Sequence, residues 1–204
     1  MYQPIIGQAY IQDSDVTDTF TLLGAEVTAN GETTVDPSDL SFSASAGLDL
    51  GQLRLEGEVS RYNGEFDSLT IDNASVLGST LNINISLPLD GDYYTTNFMG
   101  NAWLDINMDP ASKFIPFVGG GLGLAQIDID LDSIDGTAIT YDEDDTVFAY
   151  QFGGGIGYQA ADNTVVNLSY RYFGSSDPEF DDGTDRIEME MRSHVFLLGI
   201  RQTF

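Results

Sequence analysis

The sequence predicts an all-β fold: an eight-stranded, antiparallel, up-and-down transmembrane β-barrel with four long outer loops and three short periplasmic turns. Three observations carry that expectation. Apolar residues alternate with small or polar ones at period two, over stretches of the length a tilted strand needs to cross a bilayer, about 9–11 residues. The breaks between these stretches alternate strictly between short and long. The long breaks hold 27 of the 33 Asp and Glu residues, so the net charge of −26 is concentrated at one end.

The clearest stretch is residues 146–174. Phe148, Tyr150, Phe152, Ile156 and Tyr158 share one face, against Ala149, Gln151, Gly153, Gly155, Gly157 and Gln159. After a turn at 160–163, Val166, Leu168, Tyr170 and Tyr172 share a face against Asn167, Ser169 and Arg171. Successive strand side chains point to opposite faces, so this is an antiparallel hairpin, apolar and aromatic outside, small or polar inside. A lipocalin-like barrel would reverse this, because its ligand cavity makes the interior the greasy face.

In chain order, a first strand lies within residues 2–12, where the alternation is weak. A polar segment, 13–39, contains an apolar patch at 20–27 that reads as a hairpin above the membrane. The second strand alternates Leu40, Phe42, Ala44, Ala46, Leu48 and Leu50 with Ser41, Ser43, Ser45, Gly47 and Asp49. After a tight turn at Leu50 and Gly51, the third places Leu53, Leu55 and Val59 outward and Gln52, Arg54, Glu56, Glu58 and Ser60 inward. Arg61 faces outward near the rim, where it can snorkel. A long loop, 63–92, leads to the fourth strand. Its Tyr94, Thr96, Phe98, Ala102, Leu104 and Ile106 face lipid, while Thr95, Asn97, Met99, Asn101, Trp103 and Asp105 face inward. A turn at 107–112 contains the breaker pair Asp109-Pro110. In the fifth strand Leu122 and Leu124 mark one face as outward, whereas Ile127, Ile129 and Leu131 mark the other. A bulge near Ala125 would reconcile them, since one extra residue flips the facing. A third long loop reaches Asp145, and a fourth, 175–193, precedes the last strand, 194–204, with Phe196, Leu198, Ile200 and Phe204 outward. Residues 1–204 read as one barrel domain.

Composition narrows the function classes. Seven Lys and Arg against 33 acids exclude a phosphate-binding face, so nucleic acid is no partner. No window approaches the ~18 apolar residues of a transmembrane helix. The absence of cysteine removes disulfides, thiolate metal sites and thiol nucleophiles. The start, MYQPIIGQ, has neither a basic n-region nor an apolar h-region, and is read as a mature chain behind an initiator methionine.

FIPFVGGGLGLA, FAYQFGGGIGYQ, NLSYRYF and a final strand ending on Phe204 together resemble the OmpA-like and opacity-type small outer-membrane barrels. The resemblance covers nearly the whole chain. It implies a Gram-negative outer-membrane location with periplasmic N- and C-termini, and roles in envelope integrity, adhesion or surface antigenicity. It also implies a C-terminal assembly signal at Gly199, Ile200 and Phe204, read by the barrel assembly machinery. Gln202 departs from that pattern, which carries an aromatic or apolar residue there.

The remaining motifs weigh toward structure. Gly119–Gly121 and Gly153–Gly155 match neither G-x-G-x-x-G nor a phosphate loop, and serve curvature in a narrow barrel. Asp128, Asp130 and Asp132 lack the glycine and glutamate of a calcium loop, and read as a strand continuing above the membrane. No resident cofactor is expected, only weak divalent-cation association with the acidic loops, at best around Asp142–Asp145 and Asp181–Asp182. His194, the single histidine, excludes a multi-histidine metal site, and Ser193 beside it on a strand faces the other way. No catalytic or metal-ligating set emerges. Inward charges do: Arg54, Arg171 and Arg201 against Asp49, Glu56, Glu58 and Asp105. Enclosed charges must be paired or hydrated, and an eight-stranded barrel is only wide enough for side chains to fill. The expected function is therefore that of a non-enzymatic, monomeric surface scaffold or adhesion-type protein with a plugged lumen. It would sit among outer-membrane lipid and lipopolysaccharide and offer its loops to an extracellular ligand or host surface. The alternatives are a small-solute or ion pore and a lipid-modifying enzyme.

The acidic segments carry only Arg186 and Arg192 as counter-charges. Mutual repulsion there is relieved by screening. Proteolysis within the four segments should slow in millimolar calcium or magnesium, and equally in more concentrated monovalent salt. Protection by calcium alone at micromolar levels would instead reveal a specific site.

Overall fold

The period-two alternation becomes strand nearly throughout the computed structural model, which describes residues 1–11, 14–22, 25–35, 40–76, 79–106, 112–134, 136–176, 179–181, 185–189 and 192–204. Among these are twelve strands: β1 (Tyr2–Ile11), β2 (Ser14–Leu22), β3 (Ala25–Val35), β4 (Leu40–Asp49), β5 (Leu53–Val76), β6 (Ser79–Asp105), β7 (Phe114–Ile134), β8 (Thr137–Ala161), β9 (Thr164–Ser175), β10 (Glu179–Asp181), β11 (Asp185–Met189) and β12 (Arg192–Gln202). Eight of them pair antiparallel in a closed ring: β1 with β4, then β5, β6, β7, β8, β9 and β12, which returns to β1. Closure leaves the ring without an edge.

The other four strands form a second storey. β3 pairs with the far half of β5, β2 with β3, β11 with β2 and β10 with β11. Their order, β10-β11-β2-β3-β5, repeats the order β9-β12-β1-β4-β5 of the ring. Each short strand thus stands above the ring strand that it follows or precedes in the chain. The twelve strands are eight strand paths, four of them interrupted, and the expected count of eight holds.

Facing follows the register. Ser41, Ser43 and Ser45 on β4 are buried in the lumen, as are Arg54, Glu56, Glu58 and Ser60 on β5 and Thr95, Asn97, Met99, Asn101, Trp103 and Asp105 on β6. Their neighbours Phe42, Leu48, Leu55, Val59, Phe98 and Leu104 are exposed on the outer wall, with Leu122, Leu124, Phe152, Ile156, Leu168, Phe196, Leu198 and Ile200 completing the apolar belt. Aromatic contacts mark both of its margins. Phe114 and Tyr158 lie at the turn side, with ring centres 5.4 Å apart. At the loop side Tyr170 stacks on His194, Phe152 packs against Tyr172, and Arg61 covers the Tyr94 ring at 5.0 Å. Such girdles are where amphipathic rings settle at a membrane interface.

Three expectations are corrected. There is no bulge at Ala125: the register of β7 against both neighbours is continuous from Phe117 through Leu131. Ala125, Ile127 and Ile129 continue the inward row of Phe117, while Gln126 and Asp130 continue the outward row of Leu124. What changes is the medium. Beyond Leu124 the outer face meets water, so aspartates go outside and isoleucines inside. Secondly, the segments 63–92 and 128–145 are not loops over most of their length, because β5, β6, β7 and β8 run on through them. β6, with 27 residues, is far longer than a membrane crossing requires. Thirdly, Asp49 and Gln52 are exposed instead of inward. They flank the tight turn, where Gly51 adopts φ 91° and donates its N–H to the Asp49 carboxylate at 3.0 Å. The apolar patch at 20–27 does form a hairpin, β2–β3. The pair Asp109-Pro110 and Asp182 lie outside the described residues.

Leu168 is 63% exposed in the middle of the belt. Leu168→Arg should cost about 2–4 kcal/mol in reversible folding into lipid bilayers. An unchanged folding free energy would refute the assigned face.

Candidate functional site

The turn-side half of the lumen is built from alternate positions of seven strands. Because residues i, i+2 and i+4 of a strand share a face, β5 alone delivers Arg54, Glu56 and Glu58 inward in a row. β6 adds Asn101, Trp103 and Asp105, while β4, β7, β8, β9 and β12 bring Ser45, Phe117, Gln151, Arg171 and Arg201. Glycines on β7 make the space. A Cβ on Gly119 would stand 2.7 Å from the Trp103 ring, and one on Gly121 would overlap the Asn101 amide.

Six of the seven charged residues expected to face inward, Arg54, Glu56, Glu58, Asp105, Arg171 and Arg201, meet there in two groups. Arg54 pairs with Glu56 and also donates from Nε to Asp105 Oδ1 at 3.0 Å. The other oxygen of Asp105 accepts from Arg201 Nη1 at 3.2 Å. Higher in the lumen, Arg171 Nη1 lies 2.8 Å from both oxygens of Glu58. Asn101 donates to Glu58 at 2.9 Å and accepts from Gln151 at 2.7 Å, while Ser45 donates to Glu56 at 3.1 Å. Two guanidinium groups are also covered by aromatic faces: Arg171 stands 4.8 Å over Trp103 and Arg54 stands 5.0 Å over Phe117. The six side chains sum to zero charge, so no counter-ion is required. The sequence shows Ser45, Gln151 and Trp103 as inward positions but not as members of the network, and it assigns Phe117 to neither face. Asp49 is not part of it.

Above this layer the lumen turns apolar. Tyr62, Tyr93, Met99, Ala125, Ile127, Ile129, Val147, Ala149, Phe173, Val195 and Leu197 form one buried cluster, and Tyr62 meets Phe173 edge-to-face with centres 6.0 Å apart. The sequence does not reveal this second layer, because the expected bulge near Ala125 turns Ile127 and Ile129 outward. Several buried polar atoms between and around the layers, including Arg171 Nε, Arg201 Nε and both amide atoms of Asn167, have no hydrogen-bond partner among the described residues. Groups of that kind are the places where trapped water sits.

Ser193 and His194 do not face one another. Ser193 is buried on the lumen side, whereas His194 lies on the outside with its Nδ1 2.6 Å from the Tyr170 hydroxyl. Among the described residues no group of three or more His, Asp or Glu is placed to hold a metal ion. At the C-terminus Gly199 pairs with Ile5 and Asn167, Ile200 is exposed on the belt and Phe204 is 94% exposed beyond the end of β12.

An apolar outer belt with aromatic margins, an enclosed polar lumen and a closed antiparallel ring define an integral β-barrel of the bacterial outer membrane. The chain belongs to the outer membrane protein beta-barrel domain family, whose model matches residues 6–204. Outer membrane protein PagN of Salmonella typhimurium is 25% identical over 163 residues, 74% of this chain and 65% of that protein, so the chain spans just under two thirds of that relative's length. Two solved structures share the fold. Neisserial surface protein A superposes with a TM-score of 0.52 at 19% identity, covering 99% of this chain and 97% of that one. OprG from Pseudomonas aeruginosa gives 0.54 at 16% identity, covering 100% and 95%.

The Arg171–Glu58 pair is buried, so removing one partner strands a charge. Arg171→Met should cost about 3–5 kcal/mol, and the double change Arg171→Met with Glu58→Leu distinctly less. Denaturant titration in bilayers measures both. Equal costs would mean that water replaces the lost partner.

Proposed function

We propose that this protein is a non-enzymatic, monomeric surface scaffold of the adhesion type, with periplasmic termini and a closed lumen, whose second storey stands outside the cell. The carrying observation is the two-layer filling of the lumen. The charge-neutral ion-pair network lies below the apolar cluster, and an ion crossing both would have to break buried pairs and then enter a dry layer. What remains available for function is the outer surface. It rises well beyond the apolar belt and carries aspartates at Asp92, Asp128, Asp130 and Asp144 on neighbouring strands.

On this reading the belt and its aromatic margins contact outer-membrane lipid and lipopolysaccharide. Gly199, Ile200 and Phe204 serve recognition by the assembly machinery, and an extracellular ligand or host surface meets the second storey. Divalent cations associate with the acidic wall diffusely, without a resident cofactor. The placement of Ser193 and His194 on opposite faces supports the non-enzymatic reading.

Two measurements test the proposal. In planar bilayers the purified barrel should show no stable single-channel conductance, and protease added to intact cells should cut only in the second storey. Steady conductance would favour the pore instead. Cleavage confined to permeabilised cells would invert the orientation.

A further inference from the structure

The glycines at the middle of the outer wall are of two kinds. A Cβ on Gly120 would stand 2.6 Å from the Gln151 carbonyl oxygen, and one on Gly154 would stand 2.7 Å from that of Phe117, so the close approach of the strands admits only glycine there. Gly57 and Gly100 differ. They pair with each other across β5 and β6 and lie exposed in the belt. The nearest atom to an added Cβ is 3.9 Å away at Gly57 and 3.8 Å away at Gly100. Packing therefore leaves room for a side chain at both, on a face where Leu55, Val59, Phe98 and Leu104 are large and exposed. The result is a groove in the lipid-facing wall, with a volume of about 900 Å³. Gly57, Gly100 and Ala102 form its floor, and Leu55, Leu122 and Phe152 stand at its sides.

Arg61 stands toward the loop side of this groove on the same strand. About 13 Å of β5 separates it from Gly57, a span within the ~15 Å that one leaflet contributes to the hydrocarbon core. Arg61 is exposed between Phe42 on β4 and Thr96 on β6, and its guanidinium lies 5.0 Å over the Tyr94 ring. Among the described residues no carboxylate pairs with it. Acids outnumber Lys and Arg 33 to seven in this chain, so a cation without a carboxylate partner stands out. Its counter-charge has to come from outside the barrel, at the height where lipid headgroups begin.

We propose that Arg61 and the groove beneath it hold one phosphorylated glycolipid of the outer leaflet, with its phosphate at the Arg61 guanidinium and an acyl chain over Gly57 and Gly100. The edge of the guanidinium offers paired N–H donors to phosphate oxygens while one of its faces stays on Tyr94. The groove receives the chain against an apolar floor that its neighbours in the belt do not provide. A second copy of the barrel would bring another Arg61 to this rim and no phosphate, and an apolar membrane helix would leave the cation without a counter-charge. The site deepens the proposed contact of the belt with lipopolysaccharide, and rests on that reading for the loop side being the outer leaflet.

The test uses the full chain folded in detergent micelles and native mass spectrometry, with a monophosphorylated lipid A and its dephosphorylated counterpart as probes. One molecule of the phosphorylated probe should bind saturably, and the dephosphorylated probe about tenfold more weakly. Arg61→Gln should bring the phosphorylated probe down to that level, whereas Arg61→Lys should keep most of the binding. Gly57→Leu with Gly100→Leu fills the floor without a backbone clash, and should weaken both probes while the barrel stays folded by its unheated gel migration. Retention of several molecules, alike in the wild type and all variants, would overturn the proposal in favour of a general lipid coat. Displacement of the lipid by millimolar inorganic phosphate would reduce the site to an anion contact at the rim and overturn the groove. Dimerisation that the two leucines abolish would reassign the groove to a second copy. The probe pair and the Arg61 variants decide the matter even where the double leucine variant fails to fold. Protease accessibility on cells reports orientation separately, since the micelle measurement does not depend on it.

Discussion

A strand in a closed sheet has no freedom of facing. Once the turn side fixes which residues point into the ring, parity carries that assignment along the strand until a bulge intervenes. Along β7 the register is unbroken from Phe117 through Leu131, so inside and outside are each read by a single row of residues across two different solvents. In the lipid the outer row must be apolar and the inner row may be polar. Above the lipid the outer row meets water, and the inner row becomes the one that needs an apolar core. Leu122 and Leu124 outside, followed by Ile127 and Ile129 inside, are the local record of that boundary. The boundary is set by physics outside the protein, and the rest of the structure is arranged to meet it.

The lumen answers the same constraint with charge. Buried guanidinium and carboxylate groups lose hydration that their mutual attraction restores only when geometry and hydrogen bonding are both good. Here Glu58 accepts from Arg171 and Asn101, and Asp105 accepts from Arg54 and Arg201. Each carboxylate is thus held from two or more directions by strands far apart in sequence. Such a network adds little to stability compared with an apolar filling, yet it ties the strands of the ring to one another at fixed register. The aromatic faces of Trp103 and Phe117 cover one face of the Arg171 and Arg54 guanidinium groups and attract the cation through the ring quadrupole.

Much of this was legible in the residues. Alternation located the eight strand paths, and the inward rows of β5, β6, β9 and β12 named the six charged side chains that meet in the lumen. Two things were not legible. Strand length was understated in the segments 63–92 and 128–145, because Thr, Ser, Asn and Asp read as loop residues when a strand is expected to show a lipid face. β5 and β6 continue there as wall in water, where such residues are ordinary on the outside. The apolar inner layer was hidden for the same reason, since Ile127 and Ile129 look like lipid contacts until the solvent on the other side is considered. Asp49 shows a smaller limit: alternation assigned it to the lumen, but a carboxylate two residues before Gly51 finds a nearer donor in the turn itself.

The second storey carries a cost that its interior offsets. Asp128 stands opposite Asp144, and Asp130 lies between Asp92 and Asp142 across the sheet. Like charges directly opposite are destabilising by roughly 0.2–1 kcal/mol per pair, and less where salt screens them. Behind the same wall Ile127 and Ile129 are 1% and 5% exposed. Full burial of a side chain of that size is worth about 1.5–3 kcal/mol. Two such residues, together worth about 3–6 kcal/mol, at least match the repulsion of three cross-strand acid pairs at its upper end, before Tyr62, Tyr93 and Phe173 are considered. An acidic outer wall can therefore be kept as strand instead of dissolving into loop, provided that its inner face is apolar. The inversion of polarity above the membrane is the condition under which a chain this acidic can hold an ordered surface away from the bilayer.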